Sequence, residues 1–152
     1  MSDLHEVRLL GFPIALHARA VEHHEELMRE FQLLALGPSD VPRRLAALVE
    51  EMMASYGSIG LAPAADREAA RARGEATVDL TYHVPASITD VCLRLDRMLD
   101  EADEFCRTDR LLTLAAEADL VAFRRWTLGQ FVAQVGGAEP TPWSAVVTST
   151  QR

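Results

Sequence analysis

The chain has no lysine and no asparagine, so all 15 of its basic residues are arginine. That bias reads as a GC-rich coding habit, although arginine is also the better residue for holding carboxylates. Cysteine is scarce, with Cys92 and Cys106 alone. Both fall in one expected helix, whose rise places them about 21 Å apart. That is far beyond disulfide reach, so both are expected as buried thiols acting as small hydrophobes. No Walker loop, G-x-G-x-x-G, G-x-S-x-G or C-x-x-C occurs, which removes the usual phosphate cradles, nucleophile elbows and redox pairs. Gly57-Ser58-Ile59-Gly60 is too short and wrongly placed for a phosphate cradle. No run approaches the roughly 20 apolar residues that a membrane span needs. The opening Met1-Ser2-Asp3-Leu4-His5-Glu6 lacks a basic region and an apolar stretch, so no signal peptide is expected and the expected location is cytoplasmic. The formal net charge of −8 would repel a phosphate backbone, and no nucleic-acid partner is expected.

What is present is globular composition: 152 residues, 49% hydrophobic and 25% charged. That is enough chain for one domain with a real core. Residues 4 to 12 are β-tolerant, with Val7 and Leu9 alternating against Glu6 and Arg8. Pro13 then opens a helix running to Leu36, where Gly37-Pro38 stops it. Ile14, Val21 and Met28 form one apolar stripe, and Leu16, Leu27 and Leu34 form a second. A second helix begins after Ser39 or Asp40, either of which can cap it, and ends at Gly57. Residues 58 to 64 read as a loop, and Ala65 to Arg73 as a short helix closed by Gly74.

From 76 to 84 the period changes to strict alternation, the signal of a strand. Its one plausible partner is the segment 5 to 10, which leaves a two-stranded ribbon or a lone extended segment as alternatives. Ser87-Ile88-Thr89-Asp90 resembles a capping box. Behind it, Ile88, Val91, Cys92, Leu95, Met98, Leu99, Ala102 and Phe105 make one helical face. Leu111-Leu112-Thr113-Leu114 reads as an apolar connector. The last long helix runs from about Glu117 to Val135, with Leu120, Phe123, Leu128, Phe131 and Val135 inward. Trp143 is expected to pack back on the body. The fold class is therefore mainly all-α: a four-helix-bundle-like single domain over 1–143, with a short helix and one or two extended segments. A disordered tail is expected over 144–152.

Three constellations bear on chemistry. His17 and His24 share a face about 10 Å apart, too far to ligate one metal together. Neither the i, i+4 histidine pair nor the Glu-x-x-His spacing of metal helices occurs. The preferred reading makes both histidines hydrogen-bonded groups near the core; the alternative is a metal held by His24 with carboxylates from another helix. No metal and no cofactor are expected. Asp96, Asp100 and Asp103 form a carboxylate stripe, with Glu101 and Glu104 beside it. Arg124-Arg125-Trp126 sets an arginine pair beside an aromatic. It reads either as arginines paired with the acidic stripe or as an interface hot spot. The interaction candidates are accordingly Asp100, Asp103, Glu104, Arg124, Arg125 and Trp126.

The closing block is distinctive. Asp100 to Cys106, Leu111 to Ala115, Phe123-Arg124-Arg125-Trp126 and Gly129-Gln130-Phe131, together with Leu9 to Pro13 and Val78 to Tyr82, resemble an uncharacterised actinobacterial family. Its small helical members are found beside anti-sigma kinases and anti-sigma antagonists. The resemblance implies such a protein as partner and brings no catalytic residues. The ATP-binding motifs of those kinases are missing here. A non-enzymatic helical regulator that binds a protein is the leading expectation, with a small-ligand- or metal-sensing bundle as its rival. The two stripes of the first helix also imply a homodimer, because a peripheral helix of a monomer needs only one; the alternative is that the extended segment 76–84 covers the second stripe within the chain.

Overall fold

A computed structural model describes residues 3–34, 37, 40–108 and 115–150. Strand β1 (Leu4–Pro13) runs without a loop into α1 (Ile14–Leu34). Helix α2 (Val41–Tyr56), a single 3₁₀ turn (Gly57–Gly60) and α3 (Leu61–Ala72) follow, then β2 (Thr77–Pro85), α4 (Ile88–Thr108), α5 (Ala118–Val135) and α6 (Trp143–Thr150). The chain is mostly helical with one small antiparallel sheet. The connector Leu111 to Leu114 lies outside the described residues.

The two extended segments pair. β1 and β2 form an antiparallel ribbon with Val7 opposite Tyr82 and Leu9 opposite Leu80. Val7, Leu9, Leu80 and Val84 turn inward and are fully buried, while Glu6, Arg8, Asp79 and Thr81 face out. Between Leu9 and Phe12 the register shifts. Gly11 takes φ 65° there, a left-handed conformation that glycine adopts without a Cβ clash. Its N–H donates to Asp79 Oδ1 at 2.8 Å. The bulge returns Phe12 to the inner face, which plain alternation from Leu9 would deny it.

The free edge of β1 is closed by a side chain. Gln134 of α5 accepts from the Arg8 N–H through Oε1 at 2.8 Å and donates to the Arg8 carbonyl through Nε2 at 2.9 Å. Its amide acts as one residue of a third strand. Gln130 supports it, its Oε1 accepting from Gln134 Nε2 and from the Thr141 N–H, both at 2.9 Å.

Burial divides into two clusters. The first joins the ribbon (Val7, Leu9, Phe12, Leu80, Val84) to the start of α4 (Ile88, Cys92) and to Phe123 and Trp126 of α5. The second joins Leu27 and Phe31 of α1 to Leu45 of α2 and to Ala102 and Cys106 of α4. Helix α4 runs through both. α1 packs on α2 and α5, and α4 packs on the same two helices.

Several expectations are corrected. Residues 58 to 64 are not a loop, because the 3₁₀ turn leads directly into α3 at Leu61. Asp40 makes no side-chain cap hydrogen bond, and Ser87 shares its hydroxyl with Tyr56 at 2.8 Å. Within the expected disordered tail, 151–152 lie outside the described residues, and 144–150 are instead part of α6. Trp143 anchors it as expected, edge-on to Trp126 and Phe123 at 5.5 and 5.8 Å, and Val146 follows it into the first cluster. In α5, the deepest stripe beyond Phe123 is Trp126, Gln130 and Gln134, while Leu128, Phe131 and Val135 are half-buried. Two glutamines do not look like core in a hydropathy pattern. They are buried because backbone groups of β1 and of the 138–142 segment take up their hydrogen bonds.

Replacing Gln134 by Leu leaves the Arg8 amide without its partner, and the expected cost is about 1–3 kcal/mol in urea unfolding. The exposed control Gln32→Leu is expected to move stability by no more than about 0.5 kcal/mol. Equal midpoints for the two variants would show that water replaces the amide without loss.

Candidate functional site

The carboxylate stripe of α4 faces α5, and Arg124 lies against it. Arg124 Nε donates to Asp96 Oδ1 at 3.1 Å and Nη1 to Asp103 Oδ2 at 3.3 Å, while Nη2 meets Asp100. Its side chain is only 13% exposed, and that of Asp103 7%. The other Asp103 oxygen accepts the Ala116 N–H at 3.0 Å, so the chain entering α5 is tied to α4 by the same carboxylate. Arg125 lies outside, more than half exposed, and donates to both oxygens of Asp100 at 3.0 Å. Glu104 is exposed and pairs with Arg107.

The six interaction candidates are thus separated. Asp103, Arg124 and Trp126 are interior or nearly so; Asp100, Glu104 and Arg125 reach the surface. Trp126 is corrected most sharply as a hot spot. It is buried among Phe12, Phe123 and Trp143, and its Nε1–H donates to the Thr141 carbonyl at 2.7 Å. An indole with its donor satisfied and its faces covered belongs to the core.

The histidines occupy different surroundings. His17 lies against Phe12 and Phe123, with ring centroids 5.2 and 6.4 Å apart. Burial, with Arg67 adding to it, pushes its pKa down to about 4. His24 is lowered by burial and by neighbouring His23. Neither makes a side-chain hydrogen bond among the described residues, which corrects the hydrogen-bonded expectation; His17 is held by ring packing instead. Among the described residues no group of three or more His, Cys, Asp or Glu side chains converges as a metal would require. Burial pushes both thiols up to about 11, and a thiol so raised holds almost no thiolate at neutral pH.

Where the two buried clusters meet, α1, α4 and α5 leave a cavity of about 210 Å³. Leu27 of α1, Leu95 and Leu99 of α4, and Leu120, Phe123 and Leu128 of α5 form its apolar wall. His23, His24, Thr127 and the Asp103–Arg124 pair supply its polar edge. The Thr127 hydroxyl donates back to the Phe123 carbonyl at 3.0 Å. Periodicity assigns these leucines to core without distinction. A void arises from how three helices fail to interdigitate, and no single helix carries that signal.

Arg124→Met strips Asp103 of its countercharge and is expected to cost about 3–5 kcal/mol. Arg125→Met breaks only an exposed pair and is expected to cost at most about 1 kcal/mol. Denaturant titration of the two variants separates the roles, and similar losses would mean that the Arg124 network carries no buried energy. Stability also depends on pH through His17. Above pH 6.5 His17 is neutral whether folded or unfolded; below it the unfolded chain takes up a proton that the folded chain refuses until about pH 4. Stability therefore falls as pH drops through that window, and His24 adds to the fall with the same sign. Thermal midpoints at several pH values are expected to show the decline and to show it reduced in His17→Phe. A variant with the full decline would place the titration elsewhere. Comparison with protein-family models, curated proteins and solved structures yields no match.

Proposed function

We propose that this chain is a non-enzymatic regulatory module, a four-helix-bundle arrangement of α1, α2, α4 and α5 that acts by binding a protein in the cytoplasm. The observation that carries this reading is how the interior chemical groups are engaged. Arg124 is held by three carboxylates, both thiols are raised to about 11 and His17 is lowered to about 4. Groups tuned this way hold a fold together; a nucleophile or general acid needs a pKa near the working pH.

The resemblance of the closing block to proteins found beside anti-sigma kinases and antagonists makes one of those the partner, and no nucleic acid is involved. Asp100, Glu104 and Arg125 are the surface groups available to it. The module works as a homodimer. Of the two stripes of α1, Ile14, Leu16, Leu27 and Met28 are covered within the chain. Val21 and, outside both stripes, Leu33 remain 40% and 84% exposed, and a twofold contact is the commonest way to cover such side chains. The cavity favours a second reading, a bundle that senses a small ligand, because an apolar void with a few polar groups at its edge is the usual form of a binding pocket.

Light scattering after size exclusion is expected to give a dimer mass at micromolar concentration. Val21→Glu combined with Leu33→Glu is expected to give a monomer with unchanged circular dichroism. A monomer mass for the parent protein at high concentration rejects the dimer. Affinity capture from the native host, followed by mass spectrometry, is expected to recover an anti-sigma kinase or antagonist, and its repeated absence rejects that partner.

A further inference from the structure

We infer that the cavity between α1, α4 and α5 is a binding site for a small neutral aromatic molecule of one or two fused rings that bears one N–H or O–H donor. The inference rests on the small-ligand reading above and adds the chemical class. Size sets the first limit. An apolar cavity of about 150 Å³ holds benzene, so the roughly 210 Å³ present here has room for a second fused ring.

The wall sets the second limit. Leu27, Leu95, Leu99, Leu120 and Leu128 give dispersion contacts without hydrogen bonds, and Phe123 adds apolar lining between them. Charge sets the third. The one guanidinium at the edge, Arg124, already has Asp96, Asp100 and Asp103 around it, and Asp103 is held from both sides. An anion would have to displace a buried carboxylate, and a cation would find Asp103 already paired.

Two imidazoles on the cavity wall, His23 and His24, are left to recognise a ligand, and burial lowers the pKa of His24. The His24 imidazole makes no hydrogen bond or ion pair among the described residues and sits on the cavity wall. Its lowered pKa keeps the ring neutral at pH 7, with one nitrogen free to accept. A donor on the ligand matches it. The larger depression between α2 and α4 is a different kind of surface, lined by the Arg44–Glu101 and Arg94–Glu51 pairs at 3.1 and 3.4 Å. Paired charges there suit water.

The test uses indole, its isostere benzofuran, which lacks the N–H, and the anion indole-5-carboxylate, all with the full chain. Titration followed by NMR is expected to show indole binding, with nuclear Overhauser contacts to the methyls of Leu27, Leu99 and Leu128. Benzofuran is expected to bind about tenfold more weakly, and His24→Phe to erase that difference. Indole-5-carboxylate is expected to be weaker than indole. Ala20→Phe, which fills the void from α1, is expected to abolish binding of all three; if that variant does not fold, the contacts in the parent protein decide the site. No binding of indole or benzofuran, or contacts outside these leucines, overturns the cavity as a ligand site and with it the sensing reading. Equal binding of indole and benzofuran, or preference for the carboxylate, overturns the ligand class while leaving the cavity as a site.

Discussion

The Arg124 guanidinium, set between α4 and α5, is the contact on which the middle of the molecule depends. A charge at 13% exposure needs opposite charge on every side that water cannot reach. Asp96, Asp100 and Asp103 occur at helical spacings of four and three, so one face of α4 presents all three carboxylates to the fork of donors that only arginine offers. The arrangement sets the register of α5 along α4 to within a turn. Asp103 adds a second constraint by taking the Ala116 N–H. Two helices registered by charge do not need to interdigitate their leucines over the same stretch, and the cavity lies beside that stretch.

A second polar device governs the other end of α5. A two-stranded ribbon is marginal by itself and exposes two edges. Gln134 closes one edge by supplying a donor and an acceptor to Arg8, and Gln130 passes the same network to Thr141. The ribbon, α5 and the approach to α6 are thereby tied together by side-chain amides, and the aromatic group of Phe12, Phe123, Trp126 and Trp143 fills the space beneath. The bulge at Gly11 is what brings Phe12 into that group.

These two devices explain why the apolar interior is divided. The ribbon organises one cluster and the α1–α2 pair organises the other, with α4 as the element common to both. A single jigsaw core would leave no space at the junction. Among the described residues the local rule of dense packing is relaxed between helices held by a buried ion pair. The same partition leaves the most strongly shifted histidine, His17, inside the aromatic cluster and away from the cavity, while His24 two turns farther along α1 lines it.

Helix periodicity, the prolines and glycines that bound the helices, and strict alternation from Ala76 to Val84 were sufficient to name the long helices and the strand. Each of those signals is local: a face or a cap is a property of a few consecutive residues. The pairing of Arg124 with the acidic stripe was also legible, because charge complementarity survives without coordinates. Tertiary structure alone decided the rest. It paired β2 with β1 and placed the bulge. It buried two glutamines that hydropathy assigns to the surface, placed Trp126 in the core, and made a helix of the segment after Pro142 by giving Trp143 a place to pack. It also separated His17 from His24 and opened a cavity among leucines that look alike in sequence. Those outcomes depend on what lies across from each side chain, and a hydrogen-bond partner or a void is a relation between elements that no single element encodes.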